Sequence, residues 1–375
     1  MSLERIERIR NHKEFDNIDA LILTKPENIT YVLGFNIESE TSILIPNNNS
    51  RYIDQKIIVF LNILEYDQVK EKVLQTESLD KQFELIKIDS SNKKILQNKL
   101  KEMNLKTIGF EDNYITVKNF KEWKEKFKGI EFLGVSEIIN EARLIKTDKE
   151  IENIKKAADL GIIGFNTIYE SIEEGKTEKE LAAEAEYAMR KAGSDGTSFE
   201  TIVASGNHSA FPHAKTSKKQ VKKGDLIIVD IGARYNGYCS DMTRTFIFNG
   251  KNSKYYSKKA ELVNIVNECE EYVLEKIKSG EKAAEMDKLA RDFFKSKKKG
   301  WSSRFIHSLG HGVGIDIHEN PYLAPNSEEI LKKGMCVTIE PGLYIPELGG
   351  ARTEDLIIIK KNGFKSLSNM KKFYY

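Results

Sequence analysis

Apolar residues in the first third of the chain occur in short runs that polar stretches separate. Each run is four residues long and mostly Ile, Leu, Val or Phe, a composition typical of buried strands. The runs occupy residues 20–23, 42–45, 57–60, 85–88 and 107–110. Polar stretches between several of them, such as residues 92–104, have helical spacing. This alternation predicts a small α/β domain over residues 1–136.

The pattern changes after residue 146, where helical periodicity becomes long and regular. Thr147 with Glu150, and Thr177 with Glu180, have the Thr-x-x-Glu spacing of a capping box at the start of a helix. Apolar residues recur every three or four positions after each box and again later in the chain. The predicted helices cover residues 151–172, 181–189 and 286–294, and the predicted strands cover 226–231, 243–248, 335–340 and 355–359. Residues 137–375 are therefore predicted to form an α+β domain.

Composition and charge exclude several classes of protein. Of the 375 residues, 40% are hydrophobic, and 59 basic against 57 acidic side chains leave a net charge of +2. Nothing in this balance indicates nucleic-acid or membrane binding. No apolar stretch reaches the roughly 18 residues of a membrane-spanning helix, no signal peptide is visible, and the three cysteines show no C-x-x-C spacing. We therefore expect a soluble, cytoplasmic protein without disulfides.

Two aspartates lie on either side of a predicted hairpin. Asn236-Gly237 is a typical two-residue type I′ turn. Counting outward from this turn places Asp230 and Asp241 on one face as diagonal neighbours, about 7–8 Å apart at the backbone. Two carboxylates this close repel unless a cation lies between them. Taken alone, both can equally be strand-end aspartates that face water.

Three further candidate groups follow in the last part of the chain. His311 lies in Gly310-His311-Gly312-Val313-Gly314, where the missing side chains leave room for an ion or ligand. Glu340 ends a predicted strand, and Arg352-x-Glu354-Asp355 begins another. The two-residue period of a strand directs Arg352 and Glu354 to one side and Asp355 to the other. Four acids and one histidine in such positions indicate a metal site.

These motifs together resemble the pita-bread metallopeptidases, a family that includes methionine aminopeptidase, aminopeptidase P and prolidase. The resemblance covers nearly all of the second domain. It rests on Asp230-x-Gly232, Gly237-Tyr238-x-Ser240-Asp241-x-Thr243-Arg244-Thr245, Gly310-His311-Gly312-Val313-Gly314, His318-Glu319-x-Pro321 and Glu340-Pro341-Gly342. It implies an α+β chain in which a C-terminal pita-bread (creatinase/aminopeptidase-like) catalytic domain, residues 137–375, follows a smaller creatinase-N-terminal-like α/β domain, residues 1–136.

The resemblance also implies a metal centre and a substrate class. In the family, the matching residues hold two divalent metals, and the acids that match Asp241 and Glu354 bridge them. The matching ligands are Asp230, Asp241, His311, Glu340 and Glu354. This set favours Mn²⁺, with Co²⁺ or Zn²⁺ as alternatives. The extra N-terminal domain and Arg352-x-Glu354-Asp355 resemble the proline-specific branch, whose substrate-binding histidines match His213 and His318, with His307 near the prolyl pocket.

The activity implied is hydrolysis of the bond between an N-terminal residue and a following proline (Xaa-Pro), by attack of a hydroxide that bridges two metals. Glu340 is expected to move a proton to the leaving nitrogen, and His213 and His318 to hydrogen-bond the substrate carbonyl and oxyanion. Arg352 is expected to pair with Glu354 or with a substrate carboxylate. His208, at a position that varies in the family, is interpreted as a surface neighbour.

Several alternatives stay open at this point. The same scaffold carries other reactions, such as those of methionine aminopeptidase and creatinase, and some pita-bread proteins are non-catalytic binding modules. Because relatives of the creatinase and binding types lose metal ligands, the intact set favours the peptidase. A dipeptide-only prolidase and an aminopeptidase P that accepts longer peptides are not distinguished. A homodimer is typical of relatives, and no nucleic-acid or membrane partner is expected.

Overall fold

The computed structural model describes residues 3–48, 56–75, 81–92, 94–253 and 255–375. The chain divides into two compact units, Met1–Arg143 and Leu144–Tyr375. This division falls at the last residue of helix α6 (Ser136–Leu144), whereas the sequence places it before that helix. The reason is that α6 is bonded to the first unit: the Tyr31 hydroxyl donates to the carbonyl of Ala142 at 2.7 Å. Within the described residues, no helix has both the length and the apolar character needed to cross a membrane.

The first unit is built around a mixed sheet whose described strands have the order β4-β3-β2-β1-β5-β6. These strands are β1 (Ala20–Leu23), β2 (Thr41–Pro46), β3 (Ile57–Asn62), β4 (Phe83–Ile88), β5 (Thr107–Phe110) and β6 (Glu131–Gly134). Its helices are α1 (Leu3–Arg10), α2 (Pro26–Leu33), α3 (Ile63–Leu74), α4 (Ile95–Glu102), α5 (Val117–Lys126) and α6. Each of the five runs in the sequence lies inside an observed strand, so these predictions are confirmed. All of β1 is buried, as expected of a central strand in an α/β sheet.

The second unit contains four long helices: α7 (Asp148–Ser171), α8 (Glu178–Lys191), α9 (Tyr256–Leu274) and α10 (Ala283–Lys297). Both predicted capping boxes are present, at Thr147 with Glu150 and at Thr177 with Glu180. Helix α9 was not predicted from the sequence. Its buried face includes Asn267 and Glu270, which interrupt the apolar periodicity.

The strands of the second unit form antiparallel sheets. Two of these sheets position the site, with the orders β12-β9-β8 and β14-β13-β15-β18-β19, and a hairpin pairs β16 with β17. The strands are β7 (Gly196–Thr197), β8 (Ile202–Ser205), β9 (Leu226–Ile231), β10 (Ala233–Tyr235), β11 (Tyr238–Cys239), β12 (Met242–Ile247), β13 (Gly310–Gly312), β14 (Glu319–Leu323), β15 (Cys336–Ile339), β16 (Gly342–Ile345), β17 (Gly349–Arg352), β18 (Asp355–Ile359) and β19 (Phe364–Ser366).

In each of the two sheets, alternate side chains of one strand pack against a pair of helices. Ile227, Val229 and Ile231 of β9 belong to the core cluster formed with α7 and α8, and Val337 and Ile339 of β15 belong to the cluster formed with α9 and α10. Because successive side chains of a strand point to opposite faces, the alternate positions face away from the helices. Asp230 of β9 and Glu340, which directly follows β15, occupy such positions.

Candidate active site

The predicted hairpin places its two aspartates together. Asn236 and Gly237 both have positive φ, 48° and 81°, as a type I′ turn requires. Beyond the turn, Thr243 pairs with Asp230. Because Asp241 lies two residues before Thr243, its side chain is on the same face as Asp230, as the sequence predicts.

His311 reaches these aspartates because its strand is packed unusually close to its neighbours. A Cβ at Gly310 would lie 2.1 Å from the carbonyl oxygen of Thr338, and one at Gly312 would lie 2.2 Å from that of Asn320. Nδ1 of His311 lies 3.0 Å from the carbonyl oxygen of Gly312 and therefore donates to it. The free Nε2 then faces Oδ2 of Asp241 at 3.6 Å and Oε1 of Glu340 at 3.5 Å.

Glu354 connects the two sheets at the site. Its backbone N–H donates to the carbonyl of Thr243 at 3.0 Å, and its Oε2 accepts from the Thr243 hydroxyl at 2.7 Å. One ligand atom each from Asp241, His311 and Glu354 lies within 4.8 Å of the other two. These three side chains can therefore hold one cation, and Asp230 and Glu340 line the same cavity.

The donor set fits divalent cations. Oδ1 of Asp230, Oδ1 of Asp241 and Oε1 of Glu354 are buried without a hydrogen-bond partner among the described residues. Burial, together with the charges of neighbouring carboxylates, raises the pKa of Asp241 and of Glu354 well above the usual range. Burial also raises the pKa of Glu340 to about 8. Carboxylates that repel one another in a dry cluster require positive charge, which bound cations supply.

Two histidines of the site, the buried His311 and the half-buried His307, are neutral near pH 7. Burial lowers the pKa of His311 to about 4 and that of His307 to about 3. A neutral imidazole with a free Nε2 is the form that binds a metal, so the state of His311 suits a ligand.

Arg352 pairs with a partner that the sequence does not indicate. Its Nη2 donates to Oδ2 of Asp230 at 2.6 Å, and its Nε donates to the Thr243 hydroxyl at 3.1 Å. The sequence analysis predicts Glu354 or a substrate carboxylate as the partner of Arg352. In the structure Arg352 reaches Glu354 only through Thr243, because β17 lies beside β9 and directs the guanidinium across the face that carries Asp230.

Tyr344 is a site residue that sequence reasoning missed. Its hydroxyl accepts from Nη1 of Arg352 at 2.7 Å and lies 3.0 Å from Nε2 of His307. Since Nδ1 of His307 lies 2.8 Å from the carbonyl oxygen of Ser308 and donates to it, Nε2 accepts from Tyr344. In the sequence, the only signal for Tyr344 is that it lies two residues after Gly342 and therefore on the same face of the strand. This spacing alone does not distinguish a site residue from a core residue.

One cavity of about 490 Å³ brings all the predicted site residues together. The side chains of His213 and His318 are exposed on its walls, and Phe199, Pro212 and Tyr322 add apolar surface. Burial lowers the pKa of His318. His208 does not line this cavity but bonds to Glu178 beneath it. The predicted residues that line it are Asp230, Asp241, His311, Glu340, Glu354, His213, His307, His318 and Arg352.

The model of metallopeptidase family M24 matches residues 152–361, and that of the creatinase/prolidase N-terminal domain matches residues 5–145. The chain belongs to metallopeptidase family M24. It is therefore an enzyme of a metal-dependent class, and the predicted order of a smaller N-terminal α/β domain and an α+β catalytic domain is confirmed.

Individual relatives of this M24 protein are similar over nearly their whole length. The chain is 37% identical to the Xaa-Pro dipeptidase of Pyrococcus furiosus, covering 97% of each sequence. The solved Xaa-Pro dipeptidase from Bacillus anthracis superposes with a TM-score of 0.89 at 34% identity, over 99% of each chain. The X-Pro aminopeptidase from Thermotoga maritima superposes with a TM-score of 0.86 at 31% identity, also over 99% of each chain.

Proposed function

We propose that the chain is a peptidase that cleaves the bond before a proline in the second position and uses two divalent cations. One observation carries this proposal: five side chains from separate strand ends meet in one cavity, where three of their buried carboxylate oxygens have no hydrogen-bond partner among the described residues. The residues that would hold the cations are Asp230, Asp241, His311, Glu340 and Glu354, and Asp241 and Glu354 would be shared between the two. The names of the relatives, which include both Xaa-Pro dipeptidase and X-Pro aminopeptidase, support the substrate class.

The proposed cations would polarise the scissile carbonyl and lower the pKa of the attacking water. A set of four carboxylates and one imidazole is oxygen-rich and hard, so we propose Mn²⁺ as the native metal, with Co²⁺ or Zn²⁺ as alternatives.

The protein side chains supply the remaining steps. The prolyl nitrogen leaves as a secondary amine and needs one proton. We propose that the carboxylate of Glu340 transfers this proton from the attacking water to the nitrogen. The Thr338 hydroxyl, 3.3 Å from Oε1 of Glu340, orients that carboxylate. His213 and His318 are proposed to donate to the substrate carbonyl as negative charge develops on it. Arg352, each of whose three nitrogens already donates a hydrogen bond within the site, is proposed to act by orienting Asp230.

Preference for proline follows from the shape of the cavity walls. A proline-containing bond has no N–H, and its ring fixes the backbone, so a site that requires an N–H donor rejects it. Here the walls are Phe199, Pro212, His307 and Tyr322, which offer flat apolar surface to a five-membered ring. Because Nε2 of His307 is already occupied by Tyr344, we propose that His307 contacts the ring rather than a polar group.

The test is hydrolysis by protein that is first stripped of metal and then supplied with Mn²⁺, Co²⁺ or Zn²⁺ in turn. We expect Ala-Pro to be cleaved and Ala-Ala to be resistant, and we expect Asp241→Asn to lose both bound metal and activity. Ala-Pro-Ala, compared with Ala-Pro, distinguishes an aminopeptidase from a dipeptidase. A metal-free protein with full activity, or an active Asp241→Asn variant, would contradict the proposal.

The homodimer implied by the resemblance and the cytoplasmic location expected from the sequence are kept as predictions. Light scattering after size-exclusion chromatography measures the first. Fractionation of the source cells measures the second.

A further inference from the structure

A buried carboxylate outside the proposed cation cluster holds part of the cavity wall. Glu178, in the first turn of α8, is fully buried. Its Oε1 accepts from the backbone N–H and the hydroxyl of Ser205, both at 2.8 Å. Its Oε2 accepts from the N–H of Ser217 at 3.1 Å and from the Ser217 hydroxyl at 2.7 Å. One carboxylate therefore bonds to two residues that lie 12 positions apart in the sequence.

His208 adds the last contact to this carboxylate. Its Nδ1 lies 3.0 Å from Oε1 and 2.9 Å from Oε2 of Glu178. Two acceptor oxygens at this distance require a hydrogen on Nδ1, because a bare nitrogen lone pair would repel both of them. His208 is therefore a donor to Glu178, with about a fifth of its side chain, 21%, exposed.

The segment between Ser205 and Ser217, which we name the His213 loop (residues 206–216), forms one wall of the active-site cavity. Its cavity-lining residues are Pro212, His213, Ala214, Lys215 and Thr216. The two residues that flank the loop, and the third residue of the loop, His208, are thus bonded to the same carboxylate. The helix adds backbone bonds, since the N–H of Lys179 donates to the carbonyl of Ser217 at 3.0 Å.

The His213 ring depends on this backbone for its position. Among the residues that the structure describes, no hydrogen bond holds the ring. A group that must donate to a developing charge is sensitive to placement, and an error of about 1 Å can cost about 100-fold in rate.

We propose that His208 and Glu178 are positioning residues, which hold the His213 loop so that His213 meets the substrate carbonyl. The inference rests on the proposed function, because that function makes His213 a substrate-binding group. It assigns no chemistry to His208 itself. It predicts that the two residues affect the rate through His213 and leave the metal site unchanged.

The experiment compares His208→Leu, which removes the donor, with His208→Asn, whose Nδ2 takes the place of Nδ1. On Ala-Pro with saturating Mn²⁺, we expect His208→Leu to lower kcat about tenfold with KM nearly unchanged. His208→Asn should recover at least half of the activity. Glu178→Gln should resemble His208→Leu, whereas Glu180→Gln, a matched change at an exposed position in the same helical turn, should remain active.

A double-mutant cycle separates positioning from general destabilisation. In a His213→Ala background, adding His208→Leu should change kcat by less than about twofold, because the group that it positions is already absent. Hydrogen exchange gives a readout that does not need activity: amides 206–217 should exchange faster in His208→Leu, while bound metal stays the same.

Several results would overturn the proposal: an unchanged kcat in His208→Leu, a loss that multiplies with that of His213→Ala, loss of metal, or unaltered exchange of the loop. Wild-type protein that fails to cleave Ala-Pro contradicts the proposed function instead, and the exchange measurement still decides whether the pair holds the loop.

Discussion

The Thr243 hydroxyl is the best single atom for testing how the cation site is held. It is fully buried, donates to Oε2 of Glu354 at 2.7 Å and accepts from Nε of Arg352 at 3.1 Å. Thr243→Val keeps the shape of the side chain and removes both bonds. Glu354, whose Oε1 has no hydrogen-bond partner among the described residues, then loses the side-chain donor that orients its carboxylate.

The size of the effect follows from the charge on Glu354. A hydrogen bond to a charged group contributes about 1.5–3 kcal/mol, which is about 10- to 100-fold in an equilibrium constant. Loss of a hydrogen-bond partner of a ligand typically weakens metal affinity by about the same factor. We expect Thr243→Val to raise the Kd for Mn²⁺ by about 10- to 100-fold, measured by calorimetric titration of the metal-free protein.

Thr245→Val is the matched control for this measurement. Thr245 is in the same strand and on the same face, is also buried, and bonds to the backbone of Arg352 at 2.8 and 3.0 Å. The Thr245→Val variant should have a lower Tm, but its Kd for Mn²⁺ should change by less than about threefold, because the bonds of Thr245 involve no ligand carboxylate. Equal effects of the two variants on metal affinity, or none for Thr243→Val, would refute the reasoning.

Two further predictions concern acid stability and packing. Burial lowers the pKa of His307 to about 3 in the folded state. The His307 imidazole therefore stays neutral in the folded protein, whereas in the unfolded chain it takes up a proton below about pH 6.5. The free energy of unfolding consequently decreases as the pH falls. Between pH 7 and 5 this costs about 2 kcal/mol, and His307→Gln should remove that part of the pH dependence in denaturant unfolding of the metal-free protein. An unchanged dependence would show that His307 is not responsible. Gly310→Ala should destabilise the protein by more than about 2 kcal/mol, because its Cβ would lie 2.1 Å from the Thr338 carbonyl oxygen. A Tm equal to that of wild type would exclude this steric argument.

The local parts of the site could be predicted from the sequence. Asn236-Gly237 specifies the turn type, and the turn type fixes the register that brings Asp230 and Asp241 to one face. The alternation of a strand likewise separates Glu354, which lines the cavity, from Asp355, which does not. These predictions need only neighbouring residues and the period of a strand.

The contacts between distant segments could not be predicted in this way. The partner of Arg352 depends on where β17 lies against β9, and the contact of His208 with Glu178 joins residues 30 positions apart. His208 has no periodic context that indicates a buried partner, so the sequence favoured a surface position. In the structure the His208 side chain is mostly buried and bonds to Glu178, a carboxylate that belongs to no recognised motif.

The adjacent acids Glu354 and Asp355, which face opposite sides of the sheet, make a one-residue shift in the register of β18 costly. Asp355 is bonded to the buried guanidinium of Arg244 at 2.6 Å, on the face opposite the cavity. A shift of β18 by one residue that brings Asp355 to the position of Glu354 would place Leu356, which carries no charge, opposite Arg244 and would move the proposed ligand away from its cation. This mispairing would break the buried ion pair between Arg244 and Asp355. The loss of that ion pair therefore disfavours the one shift that would still direct a carboxylate toward the cavity.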